Sequence, residues 1–364
     1  MDDGTPIDFN ELRSARMRKV QSVMSDLRIG LLLLGGEANI RYAVGGRRLW
    51  TAGERPWAPT CIISASGEVR LMSQYDTGVP PEVSQENLFC LTWNPANFGA
   101  QIAAAASGGI ERIGLDGASM TMMDVLDVAV PGATLVDASG ALLDARSSKL
   151  PAEVTLLELA TQLAGEALLA ASRTITPGIT ISELRGRLEA AIRSRSVCVP
   201  ADSDRLALPV RSVSDLVSSG DAIVMRSALL HAGYEGAVTR TAVCGAPTPD
   251  HRAAERAWQQ AWEALLPVFS PDLDGAGLHD ALAAIPAVDL RKSTARAIGL
   301  GVERKIGGSL HPHDPLREGS VVMLELTTCH ADAEVTAGCP VIVGPKGGVT
   351  MTTLHPAPIV VCGS

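Results

Sequence analysis

The sequence predicts a two-domain α/β chain whose second half grades into α+β. Three observations carry that prediction. The length of 364 residues exceeds the usual size of one domain. Short apolar strands alternate with helical stretches as far as about residue 148, the pattern of an α/β domain with a mixed sheet. A proline-marked boundary near Lys149-Leu150-Pro151 then opens a region in which a helix pair, a strand pair, a second helix pair and a second strand pair follow one another. A hydrophobic fraction of 46% and a mean hydropathy of +0.18 supply material for large cores, built from Leu, Val, Ala and Ile because aromatic residues make up only 3%.

Along the first domain, Leu12, Met17, Val20, Met24 and Leu27 recur at close to helical period, and Asp8 is a natural N-cap, so a helix is expected from Phe9 to Leu27. The continuous run Ile29 to Leu34 reads as a strand buried on both faces. Further strands are expected at Thr60–Ser64, Val69–Met72, Leu88–Thr92, Arg112–Asp116 and Thr134–Asp137, with helices near Ala100–Ala106 and Met122–Val128. Gly35-Gly36 and Gly45-Gly46 lack the context of a phosphate-binding loop. Trp50, Trp57 and Trp93 are expected to pack in the core or at an interface.

The domains are placed at 1–148 and 149–364. Pro151 disfavours helix at Leu150 and is well suited to the first helical turn, so a long helix begins at Ala152 and runs to about Ile175, ended by Pro177-Gly178. A second helix covers Ser182–Ser194. Strands follow at Ala222–Leu230 and Ala237–Cys244, then helices at Arg252–Phe269 and Gly277–Ile285, then strands at Ser320–Thr327 and Pro340–Val343.

The net charge of −9 and a pI near 5.3 argue against nucleic acid as a partner, since phosphate binding needs clustered Lys and Arg. No membrane association is expected: the Ile29–Leu34 run is far too short to span a bilayer, and Met1-Asp2-Asp3-Gly4-Thr5-Pro6 has neither the basic nor the apolar region of a signal peptide. The seven cysteines are odd in number and scattered without metal-binding spacing, the usage of reduced thiols in a cytoplasmic protein. Cys329 and His330 are adjacent, so on a strand they point to opposite faces.

The most specific stretch is Gly220-Asp221-Ala222-Ile223-Val224-Met225-Arg226-Ser227-Ala228, continuing to Gly233-Tyr234-Glu235-Gly236-Ala237-Val238-Thr239-Arg240-Thr241. It resembles the centre of the aminopeptidase P/creatinase family, the pita-bread proteins that include Xaa-Pro peptidases. In metal-binding members this stretch reads Gly-Asp-(apolar)-Asp-x-Gly, then Gly-Tyr-x-x-Asp-x-Thr-Arg-Thr. Lys149, Pro151 and Glu153 match the family's opening of the catalytic domain, and Asn39-Ile40-Arg41-Tyr42 is the best local match in the first domain. The resemblance implies a creatinase-like mixed-sheet N-terminal domain, a pseudo-symmetric C-terminal pita-bread domain with a central site, and dimers.

Metallopeptidases of the family hold two divalent ions with Asp, Asp, His, Glu and Glu, which clamp a bridging hydroxide and polarise the scissile carbonyl. Arg226 aligns with the first Asp and Ala237 with the second. Arg296, in Arg296-Ala297-Ile298-Gly299-Leu300, aligns with the His. Glu325 aligns with the first Glu, while the last Glu falls at Gly338 or Cys339. One ligand of five survives, so neither metal nor any other cofactor is expected. A like charge about 4 Å away costs on the order of 4 kcal/mol at an effective dielectric near 20, roughly doubled for a dication. Arginine does not discharge at any relevant pH, so Arg226 and Arg296 should repel metal. Both could instead pair with Glu325, filling the cavity with cations that belong to the protein.

Creatinase, which works without metal, shares Ala at the Ala237 position and Glu at the Glu325 position. Its Glu before Arg-Thr is Thr239 here, and the upstream histidine is missing from Ala207-Leu208-Pro209-Val210-Arg211. His231, near the cleft by alignment, and His311 and His313, in a loop where the family often carries a substrate-contacting His, remain as candidate proton handlers beside Glu325. Arg226 and Arg296 could grip a substrate carboxylate. Tyr234 and Arg240 are further candidates for the cleft, with a role in the frame as the favoured reading for both. The expectation is a catalytically degenerate subunit or binding protein, as a homodimer or as a heterodimer with a related pita-bread chain. The alternative is a metal-independent hydrolase or lyase acting on a C–N bond of a small carboxylate-bearing substrate. An active two-metal Xaa-Pro aminopeptidase is disfavoured by charge.

Overall fold

A computed structural model describes residues 7–45, 61–73, 79–80, 82–89, 94–195, 199–200, 206–207, 215–300, 305–306, 315–351 and 357–363. The chain divides into two compact units, Gly4–Arg146 and, from Ser147, the remainder to Ser364. The division falls two residues before the expected 148/149 boundary.

The first unit begins with helix α1 (Phe9–Asp26), capped by the Asp8 carboxylate, which accepts from the Asn10 and Glu11 N–H groups. Strand β1 (Leu31–Leu34) follows, and all four of its leucines are fully buried, as the unbroken apolar run requires. Helix α2 (Glu37–Val44) comes next; its sequence carries too short a period to announce it. Then come β2 (Cys61–Ser64), β3 (Val69–Met72), β4 (Leu88–Phe89), α3 (Pro95–Ala105), β5 (Arg112–Leu115), α4 (Met120–Ala129), β6 (Thr134–Asp137) and α5 (Ser139–Ser147). The sheet order is β4-β3-β2-β1-β5-β6, with β2 antiparallel to both β1 and β3 and the other pairs parallel. The Asp116 carboxylate ties its centre together, accepting from Gly35 N, Gly36 N and Asn39 Nδ2 at 2.8–2.9 Å.

The second unit opens with α6 (Pro151–Ser172) and α7 (Ile181–Arg193). Glu153 accepts from Leu150 N at the start of α6, and Thr180 and Glu183 form a full capping box at the start of α7, with Glu183 accepting from Thr180 N and Thr180 Oγ1 from Glu183 N. The short strands β7 (Val199–Pro200) and β8 (Leu206–Ala207) precede a long hairpin, β9 (Ala222–His231) and β10 (Tyr234–Cys244). Ala232 and Gly233, both at positive φ, form its two-residue turn. Helices α8 (Pro249–Leu265) and α9 (Gly275–Ala283) follow, then β11 (Thr294–Ala297) and β12 (Lys305–Ile306). A second long hairpin, β13 (Val321–His330) and β14 (Ala333–Gly344), and strands β15 (Gly347–Thr350) and β16 (Ile359–Cys362) complete the unit. The sheet runs β12-β11-β13-β14-β10-β9-β7, with β15 on β14, β16 on β10 and β8 on β9.

One face of this sheet is packed by helices. Helix α6 lies on β9 and β10 through a stripe of Ala160, Ala164, Ala167 and Leu168. A β-carbon at Gly236 would come within 2.1 Å of the Ala160 carbonyl carbon, so the approach requires glycine. Helix α8 packs on β13 and β14, and its Trp258 Nε1 donates to the Leu326 and Ala337 carbonyls. By length and composition α6 could cross a membrane, yet half of it is buried inside this core, as in the core helix of a globular domain.

Candidate functional site

Strand β9 sorts the candidate residues by parity. Ile223, Met225, Ser227, Leu229 and His231 are buried towards the helices, while Val224, Arg226, Ala228 and Leu230 alternate with them on the more open face. Register carries this face across the sheet. Arg226 lies opposite Thr239, Thr239 opposite Gly338, Gly338 opposite Glu325, and Glu325 opposite Thr294. Ala237 and Glu235 share the face of Thr239, and Arg296 shares that of Thr294. The sheet thus gathers the positions of Arg226, Ala237, Arg296, Glu325 and Gly338 on one surface. Of Gly338 and Cys339, the register puts Gly338 on this surface, while Cys339 points to the helices and joins the core there.

Glu325 is the centre of the row. Its Oε2 accepts from Arg226 Nε at 2.8 Å and from Thr239 Oγ1 at 2.7 Å, and its Oε1 accepts from Arg226 Nη2 at 2.5 Å. The pair is bidentate, the geometry that suits guanidinium and carboxylate best. The Glu325 side chain is 7% exposed and that of Arg226 is 22%. Arg296 makes a second bidentate pair, with Glu235: Nη1 donates to Oε2 at 2.9 Å and Nη2 to Oε1. The segment after β11 brings them together by running against the start of β10, where Glu235 N donates to Gly299 O and Tyr234 bridges to Leu300. The expectation that both arginines share Glu325 is therefore corrected: Arg226 takes Glu325, and Arg296 takes Glu235. Sequence reasoning missed Glu235. Its signal was period two, since it lies two residues before Ala237 on the same face.

Three candidates lie on the other face. His231 is an odd number of residues from Arg226 and is buried on the helix side. Tyr234 is fully buried, and its hydroxyl donates to Glu153 Oε1 at 2.5 Å, fastening β10 to the start of α6. Arg240 donates through Nη1 to the Thr239 and Gly338 carbonyls at 2.7 and 3.0 Å. Burial lowers the Arg240 pKa from its usual value and pushes the neighbouring Cys339 thiol up to about 12. Candidate roles for His231, Tyr234 and Arg240 in the cleft are corrected accordingly. Strand alternation turns them away, and Tyr234 and Arg240 serve the frame. His311, His313, the Leu208–Arg211 stretch and the three N-terminal tryptophans lie outside the described residues.

The resemblance implies two divalent ions at the five positions. The groups at those positions are one carboxylate, two guanidinium groups, one methyl group and one glycine, and only the carboxylate is a metal donor. Hard dications need anionic oxygens, and both oxygens of Glu325 already accept hydrogen bonds within the protein. At Gly338 a β-carbon would stand 2.2 Å from Leu324 O and 2.7 Å from Glu325 Cα, so this backbone leaves no room for a carboxylate side chain. Among the described residues no three His, Cys, Asp or Glu side chains form a metal-ligand group.

Comparison with known proteins agrees with this architecture. The chain is 23% identical over 324 residues to an uncharacterized peptidase, YqhT, of Bacillus subtilis, covering 85% of this chain and 89% of that one. The X-Pro aminopeptidase of Thermotoga maritima superposes with a TM-score of 0.74 at 18% identity, over 93% of this chain and 99% of the other. The prolidase of Pyrococcus horikoshii superposes with a TM-score of 0.71 at 19% identity, over 95% of this chain and all of the other. These solved structures share the fold, a mixed α/β N-terminal domain followed by a pita-bread-like domain. Residues 155–351 match the model of metallopeptidase family M24 and residues 16–148 that of the creatinase/prolidase N-terminal domain, and the chain belongs to this family.

Proposed function

We propose that this chain is a family member in which two internal arginine–glutamate pairs stand where metal ions would be held, and that it acts as a non-catalytic subunit or binding protein. The observation that carries the reading is the engagement of both Glu325 oxygens by Arg226 and Thr239. A dication entering there would have to displace a guanidinium group that stays charged at every relevant pH. The partner under this reading is another pita-bread chain, either a second copy or a metal-competent relative, in the cytoplasm.

A metal-independent C–N hydrolase would need a proton handler on the cleft face. Of the described candidates, His231 is on the opposite face, while Glu325 and Glu235 are each held in a bidentate pair. The geometry therefore favours the non-catalytic reading.

The test is hydrolysis of a panel of Xaa-Pro dipeptides by purified protein, with and without added manganese or cobalt, alongside a second panel of small carboxylate-bearing amide and guanidino compounds without metal. No turnover in either set is expected. Metal-stimulated release of proline would overturn the reading in favour of a peptidase, and metal-independent turnover would overturn it in favour of a hydrolase.

A further inference from the structure

Two cysteines stand side by side where the C-terminal strand joins the sheet. In the parallel ladder of β10 and β16, Thr241 faces Ile359, Ala242 faces Val360, Val243 faces Val361 and Cys244 faces Cys362. Partners in a ladder project to the same face, and both cysteines belong to the core cluster between the sheet and helices α6 and α7. Adjacent strands are about 4.8 Å apart, inside the range of roughly 4.4–6.8 Å that a disulfide spans between Cα atoms. Cys244 Sγ leans towards β16: a β-carbon placed on Gly363 would meet it at 3.2 Å. Both thiols are free.

We propose that Cys244 and Cys362 are a redox-active dithiol whose oxidation staples β16, the last strand of the chain, to the central strand β10. The oxidant is a low-molecular-weight disulfide such as glutathione disulfide. One protein thiolate attacks it, releasing one glutathione thiol and leaving a mixed disulfide. The second protein thiolate then attacks the protein-side sulfur, releasing the second glutathione thiol. The two protein thiols lose two protons and two electrons, which reduce the added disulfide to two thiols.

Burial raises the pKa of both thiols, that of Cys362 to about 11, with the nearby Ser172 hydroxyl as a smaller opposing influence. Both thiols are buried, so the reaction needs transient local opening of β16 from β10 and is faster at higher pH. The bond would close a loop holding β11, β13 and β14, which carry Arg296, Glu325 and Gly338.

The experiment treats the full-length protein with glutathione disulfide at pH 8.5, blocks remaining thiols after unfolding, and maps tryptic peptides without reduction. Each cysteine lies in a tryptic peptide with no other cysteine, residues 241–252 and 347–364. The expected product is these two peptides joined, together with a rise in Tm of about 5 °C or more over the reduced protein. Cys244→Ser and Cys362→Ser should each abolish both. Recovery of both peptides blocked after oxidation, a stable glutathione adduct on either one, or a different cysteine pairing would overturn the proposal. The wild-type peptide map decides the matter even if a serine variant fails to fold.

Discussion

The two faces of the β9–β10 hairpin have different physical duties, and the departures from the family's metal-binding pattern, Arg226 and Ala237, lie on one of them. Towards the helices stand Tyr234, Gly236 and Arg240, each held by a contact that leaves little choice of residue: a hydroxyl on Glu153, a backbone approach to Ala160, a guanidinium on two strand carbonyls. Towards the cleft stand Arg226 and Ala237, where the resembling metallopeptidases carry aspartates. Packing ties the first face to α6, so a change there must be absorbed by a whole helix. The second face answers only to whatever occupies the cleft. A fold can therefore persist while the chemistry of its central surface is rewritten.

The hardest blow to that division is Gly236→Ala. The added methyl group collides with the α6 backbone, and we expect a loss of about 3 kcal/mol or more, seen as a fall in Tm of about 10 °C. A Tm within one degree of wild type would show that the helix does not press on this strand.

Next in size is Glu325→Ala, which strands Arg226 and Thr239 in a mostly buried setting. The expected loss is about 2–4 kcal/mol by denaturant titration, below the value for a fully buried pair because Arg226 keeps partial exposure. The double variant Arg226→Met with Glu325→Leu should recover most of it, since an apolar pair of similar volume removes the stranded charge. Equal losses in the single and double variants would mean the pair is not coupled.

Tyr234→Phe removes one hydrogen bond to Glu153 and should cost about 1–2 kcal/mol by the same titration, leaving Arg226–Glu325 undisturbed. The smallest effect belongs to Glu235→Gln. Its partner Arg296 is 28% exposed, and we expect no more than about 1 kcal/mol in thermal unfolding. A loss larger than that of Glu325→Ala would reverse the ranking of the two pairs.

How much of this was legible beforehand follows from the same contrast. Asp8 as a cap, the buried Leu31–Leu34 strand and the proline-led start of α6 were all written in local residue types, because capping and periodicity are local physics. Helix α2 was not, being a short element held by tertiary contacts; β4, at Leu88–Phe89, falls inside the strand expected at Leu88–Thr92. In the site, the Arg226–Glu325 pair could be anticipated from charge alone, while the choice of Glu235 for Arg296 could not. That choice depends on the Gly299–Leu300 segment running against the start of β10, which joins Arg296 to Glu235 across 61 residues of sequence. Strand parity could have placed His231 on the far face from Arg226 at once. The decision between Gly338 and Cys339 needed the β10–β14 register.

The claim beneath all of this is that guanidinium groups close the cleft to divalent ions. Equilibrium dialysis of the purified protein against manganese at neutral pH tests it most directly, with Arg226→Asp, Ala237→Asp, Arg296→His as a combined variant for comparison. The wild-type chain should retain less than about a tenth of an ion per molecule, and the variant should retain more. Two ions held by the unaltered chain would contradict the account.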